Sequence, residues 1–84
     1  MAAFDVWFSL KLEGRYSYHW ERKAIDGTIY RHDNAPHRRW REVKTFPKHF
    51  HEGSEERVTE SCLSYTAQEG LGEFLTFVRN KLHR

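Results

Sequence analysis

With 84 residues, a net charge of +2 and a charged fraction of 31%, the chain reads as one water-soluble domain, residues 1–84. A domain this small buries only about 60% of the surface its unfolded chain exposes, and an aromatic content of 15% both supplies large rings for a core and argues against disorder. The single cysteine, Cys62, excludes an internal disulfide, no run approaches the ~20 apolar residues of a membrane span, and residues 1–12 lack the basic start of a signal peptide, so a cytoplasmic location with no membrane partner is expected.

From Phe4 to Glu13 the chain alternates. Phe4, Val6, Phe8, Leu10 and Leu12 share one parity and Asp5, Trp7, Ser9 and Lys11 the other, the period of a half-buried strand. Gly14 can turn the chain into a second alternating run, in which Tyr16, Tyr18 and Trp20 oppose Ser17, His19 and Glu21. A third strand is expected from about Thr28 to His32. A two-residue loop at Asp26-Gly27 would set Arg22 against Arg31, a like-charge pair. A loop from Lys23 to Gly27 pairs Trp20 with Tyr30 instead and is preferred. Residues 34–53 show little periodicity, and Pro36 and Pro47 argue for a long loop with short extended pieces. A fourth strand is read from about Glu56 to Ser61.

The last element is a helix. Thr66 and Glu69 have capping-box spacing, and Leu71, Phe74, Leu75, Val78 and Leu82 fall on one helical face. Gly70 and Gly72 each weaken it by about 1 kcal/mol relative to Ala, or mark a close backbone approach. The expected architecture is α+β: a small antiparallel sheet of about four strands with one C-terminal helix packed on one face.

Charge is uneven along this scaffold. Residues 31–51 carry six Lys and Arg against two acidic residues, and four of the six histidines, whereas residues 1–30 are neutral and residues 52–84 are acidic. Such a patch suits a polyanion, nucleic acid above all. His49 and His51 are two apart and share a side if extended, and His37 can approach from the end of the third strand. These imidazoles could serve as acid and base on an RNA phosphodiester, with the 2′-hydroxyl as nucleophile and Arg31, Arg38 and Arg39 as cations. They could alternatively hold a metal on His37, His49 and His51, with Asp33 or Cys62 as a fourth ligand, although no cofactor is the preferred expectation. Trp40, set between Arg39 and Arg41, can stack on a base. The plainer readings are that Asp33-Asn34-Ala35-Pro36 is a turn, that Arg31 and Asp33 form a structural ion pair, that His19 is exposed, that His83 is tail, and that Cys62 is a small core residue.

"IYRHDNAPH", "TFPKHFH" and a short C-terminal helix together resemble the TumE-type proteins of prokaryotic toxin–antitoxin systems. There a strand ends in Arg-aromatic-Asp-Asn-Ala-Pro-His and a Phe-Pro-x-His-x-His piece follows. Those positions here are Arg31, His32, Asp33, Asn34, Ala35, Pro36 and His37, then Phe46, Pro47, His49 and His51, and Trp20 fits the second strand. The resemblance runs from about Val6 to Leu82. His32 departs from the usual tyrosine, and Arg38-Arg39 stand where a further histidine is common.

The resemblance implies a toxin-like protein with a cognate antitoxin. Joined to the residue chemistry, it gives a small ribonuclease as the expectation. The catalytic set is His37, His49, His51 and Asp33, and the phosphate-binding set is Arg31, Arg38, Arg39, Trp40 and Arg41. A non-catalytic module that binds nucleic acid or protein through the same basic loop is the alternative, and either can assemble as a homo-oligomer.

Overall fold

The computed structural model describes residues 5–10, 14–64 and 66–82. One antiparallel sheet follows the order of the chain: β1 (Asp5–Leu10), β2 (Tyr16–Arg22), β3 (Thr28–Asp33), β4 (His49–Glu52) and β5 (Val58–Glu60). A single helical turn, α1 (Lys23–Asp26), joins β2 to β3, and a long helix, α2 (Ala67–Leu82), covers one face. The architecture is the expected α+β sandwich, with five strands rather than about four. The additional strand is His49–Glu52, inside the segment read as loop. It is four residues long and carries no β-branched residue, so it lacks the usual strand signature. Phe4, Leu12 and His83 lie outside the described residues.

Local chemistry sets the strand register. Gly27 takes a left-handed conformation (φ 80°) that ends α1, and Asp26 accepts from the Thr28 backbone N–H while its carboxylate also pairs with Arg22. This five-residue connection places Trp20 opposite Tyr30 and Arg22 opposite Thr28, so the two arginines never meet.

Because side chains alternate across a strand, the register sorts the sheet into two faces. Tyr16, Tyr18 and Trp20 of β2 meet Phe74 and Val78 of α2 in the core, with Val6, Tyr30, Leu63, Leu71 and Phe77 packed around them. Phe74 is fully buried. The opposite face carries Trp7, His19, Arg31, Asp33, His49 and His51, away from α2.

Several side chains depart from the sequence expectation. Phe8 and Leu10 point to the helix side but remain 52% exposed, because α2 packs chiefly on β2 and, of β1, only Val6 joins the core. Leu75 and Leu82 are exposed, and Phe77 takes the position expected of them. Cys62 is exposed rather than in the core. His19 is buried, because the ring of Trp7 stacks on it at 4.6 Å. Gly70 does mark a close approach: a Cβ there would lie 2.9 Å from the Ser64 carbonyl oxygen, whereas Gly72 faces open space.

Candidate functional site

The open face acquires its site through register alone. Arg31 of β3 stands opposite His51 of β4, and Asp33 stands opposite His49, so four polar side chains form a square on one side of the sheet. Asp33 holds the square together. Its Oδ1 accepts from the Ala35 backbone N–H at 3.1 Å and from His49 Nε2 at 3.1 Å, and its Oδ2 accepts from Arg31 Nε at 3.3 Å. His51 Nε2 is 4.0 Å from the same oxygen.

The two histidines are anchored from behind by backbone carbonyls. His49 Nδ1 is 2.9 Å from the Pro47 oxygen, and His51 Nδ1 is 2.9 Å from the Glu55 oxygen. A carbonyl only accepts, so in each ring Nδ1 carries a proton and the state of Nε2 is what varies. Burial works against charging His49, but its hydrogen bond to Asp33, the Pro47 carbonyl and the Asp33 charge together outweigh it, and its pKa rises above the ordinary histidine value. His51 goes the other way. Burial, reinforced by the positive charges of Arg31 and His49, lowers its pKa despite the Glu55 carbonyl. Asp33 also overcomes its own burial, and the His49 hydrogen bond leads the effects that hold its carboxyl below the usual range. The site therefore favours the imidazolium at His49, tied to the Asp33 carboxylate, and the neutral ring at His51, whose unprotonated nitrogen is then Nε2.

These groups line a cavity of about 320 Å³. The turn of 3₁₀ helix Arg38–Trp40 forms one wall and places the indole of Trp40 edge-on to His51 at 5.9 Å and tilted against His49 at 6.4 Å. Arg39 lies over the outer face of Trp40, 4.7 Å from the ring centre. His37 caps this turn, its Nδ1 accepting from the Arg39 backbone N–H at 3.3 Å, and it lines the same cavity with an exposed side chain. Glu55, on the turn between β4 and β5, forms the opposite wall.

Of the residues singled out in the sequence, the fold thus brings Arg31, Asp33, His37, Arg39, Trp40, His49 and His51 to one cavity. Arg38 and Arg41 are exposed and lie outside its lining. The plain readings also find partners. Arg31 and Asp33 are indeed an ion pair, and Asn34 is structural, its side chain bonding the Tyr16 N–H and the Gly14 carbonyl at 2.9 Å each. Three imidazoles do not converge as a ligand set. Among the described residues the group able to hold a metal is Asp33, His49 and His51, with ligand atoms all within 4.8 Å of one another.

Glu55 escaped the sequence reading. It takes both terminal nitrogens of Arg31, at 3.1 and 2.5 Å, and supplies the carbonyl that fixes His51. Its signal would have been the β4–β5 hairpin itself: once His49–Glu52 is a strand, the turn that follows folds Glu55 back over His51. His32, by contrast, points to the other face. It stacks on Phe50 at 4.1 Å, bonds Ser61 Oγ at 2.8 Å, and is pushed down to about 4 by burial and by the charge of Lys48.

No helix of the described residues is long and apolar enough to cross a membrane. No curated protein and no solved structure matches the chain. The model of the family described as Toxin TumE matches residues 2–82, a span that contains all five strands, the cavity-forming loop and α2. The chain therefore belongs to the TumE toxin family.

Proposed function

We propose that this toxin acts on RNA as a metal-independent ribonuclease, with His51 as general base and His49 as general acid. Family membership carries the coarser statement, a toxin with a cognate antitoxin. The observation that supports the chemistry is that two buried histidines on one strand are shifted in opposite directions, His49 upward by its bond to Asp33 and His51 downward by burial, inside a cavity walled by Trp40. Two titratable groups whose surroundings push their pKa values apart are what acid–base catalysis near pH 7 requires.

In this reading His51 Nε2 takes the proton of a ribose 2′-hydroxyl. The oxygen attacks the adjacent phosphorus, the bond from phosphorus to the 5′-oxygen breaks, and His49 gives that oxygen its Nε2 proton, which swings from its hydrogen bond to Asp33 to do so. The products are a 2′,3′-cyclic phosphate and a 5′-hydroxyl. Asp33 orients His49 and keeps it charged until the transfer. Arg31 and Arg39 lie where they can offset the charge that builds on the phosphate, Arg38 and Arg41 draw the polyanion toward the loop, Trp40 offers an edge to a base, and His37 is a third imidazole at the rim.

The test is cleavage of RNA by the purified protein, with and without EDTA, beside His51→Ala and His49→Ala. Cleavage that survives EDTA, is lost in both variants and leaves cyclic-phosphate ends is the expected result. The rate should follow a bell whose acid limb, set by protonation of His51, lies below the ordinary histidine value and whose alkaline limb, set by deprotonation of His49, lies above it. A second reading rests on the 4.8 Å grouping of Asp33, His49 and His51, which resembles a two-histidine, one-carboxylate metal triad. Loss of cleavage with EDTA, restored by a divalent ion, would replace the first reading with it. RNA that is bound but never cut would leave the binding module.

A further inference from the structure

In this structure the paired outer edge of the Arg31 guanidinium is already occupied. Its Nε is held by Asp33, and Nη1 and Nη2 both donate to the carboxylate of Glu55, with His19 Nδ1 3.5 Å from Nη1. Paired terminal nitrogens on one planar anion are also the geometry with which arginine binds a phosphate. We infer that Arg31 is a phosphate-binding site whose occupant in the free toxin is the Glu55 carboxylate, and that a phosphodiester binds by displacing it.

Three observations carry the argument. First, the two partners differ in how firmly they are held. Arg31 sits in the middle of the sheet with its Nε tied to Asp33, so it keeps its aim if Glu55 leaves. Glu55 stands on the β4–β5 turn with its side chain 47% exposed, and rotation about its own bonds carries the carboxylate into water. Second, the departure leaves the His51 ring anchored, because its hydrogen bond at 2.9 Å is to the Glu55 main-chain carbonyl, while the carboxylate lies farther off, 3.7 Å from the same nitrogen. Third, the charge balance changes in the right direction. Arg31 faces two carboxylates, Asp33 and Glu55, so moving Glu55 aside removes one negative charge from beside His51, where a phosphate would sit.

The inference names the phosphate site of the ribonuclease reading and so rests on it. Its test separates the two. Binding of inorganic phosphate and of single-stranded DNA, which lacks the 2′-hydroxyl and is not cut by the proposed chemistry, is measured by NMR at the Arg31 Nε–H and by titration. The proteins are the intact toxin, Glu55→Gln, Glu55→Ala and the control Glu56→Gln, which removes an equal charge from the same cavity lining. Removal of Glu55 should tighten both ligands by about tenfold or more, the scale set by freeing a charged bidentate donor pair, and Glu56→Gln should do far less. DNA that tightens while free phosphate does not would assign the site to the phosphodiester, and the reverse would assign it to free phosphate. Equal effects from Glu55 and Glu56 would reduce Glu55 to background charge, and unchanged or weaker affinity in both Glu55 variants would overturn the inference. If the intact toxin cuts no RNA but Glu55→Gln still gains phosphate affinity, the ribonuclease reading falls and the anion site stands.

Discussion

His32 of β3 lies against Phe50 and Phe74 beneath α2, whereas His49 and His51, on the neighbouring strand, stand on the opposite face among Arg31, Asp33 and Glu55. All three rings are buried. Burial disfavours the charged form of each, and on the helix side the charge of Lys48 adds to it while that of Asp33 offsets only part, so His32 behaves as a flat core side chain with one hydrogen bond. On the open side, ionic partners are added to the same burial. Asp33 reverses its effect at His49, and Arg31 deepens it at His51. Alternation along a strand thus lets one pair of strands contribute to a dry core and to a polar site at once.

The largest effects should separate the faces. Phe74→Ala empties a fully buried position and should cost about 3–5 kcal/mol in denaturant unfolding. His51→Asn keeps an N–H for the Glu55 carbonyl but removes the base, and should lower RNA cleavage by about 10²–10⁴-fold with a much smaller change in stability. If His51→Asn destabilises the fold as much as Phe74→Ala does, the open face is core by another name and the contrast between the two fails.

His32 provides the next test, through pH. Its pKa falls from the ordinary 6.5 in the unfolded chain to about 4 in the fold, so the unfolded state binds the proton first. The stability it supports is complete above pH 6.5 and is lost as pH falls toward 4, by up to about 3 kcal/mol. His51 shifts the same way and adds to the loss, while the support from His49, whose pKa is raised, is lost instead as pH rises above 6.5. His32→Phe can still stack on Phe50 but strands Ser61 Oγ, so it should be about 1–3 kcal/mol less stable at pH 7. It should nevertheless lose less stability than the parent between pH 7 and 4.5. Denaturant midpoints at the two pH values measure this, and an undiminished acid sensitivity in the variant would assign the effect elsewhere.

The sequence made the helix-covered face legible and the open face only partly so. Tyr16, Tyr18 and Trp20 alternate, Phe74 and Val78 recur at helical spacing, and avoidance of an Arg22–Arg31 pair selected the right hairpin, because each of these signals is local. His49 and His51 were recognised as sharing a side for the same reason. What escaped needed partners distant in sequence. His49–Glu52 is too short to read as a strand until β3 and β5 flank it, Glu55 gains a role only when that strand exists, and His19 is buried only because Trp7 crosses from β1. Phe8 and Leu10 failed in the opposite sense: their period is that of a buried face, but no periodicity tells how far a helix reaches across a sheet.

How closely α2 meets the sheet is itself measurable, and two glycines two residues apart provide the control. Changing either to Ala adds the same methyl to the same turn of helix and the same helix-propensity gain, up to about 1 kcal/mol. At Gly72 the new Cβ meets open space, so the gain should appear almost in full, as a stabilisation of about 0.5–1 kcal/mol. At Gly70 the Cβ would fall 2.9 Å from the Ser64 carbonyl oxygen and 3.1 Å from the Tyr18 hydroxyl. The first of these is backbone, held by the bonds from Ser64 N and Oγ to Glu73, so it does not yield cheaply. Gly70→Ala should therefore reverse the sign and destabilise by about 1–3 kcal/mol, the usual cost of overpacking. The two variants differ only in what the helix faces, so thermal melts of the pair isolate that contact from propensity. Equal shifts would mean that α2 rides loosely on β2, and the claim of a close-packed helix face opposed to an open polar one would have to be withdrawn.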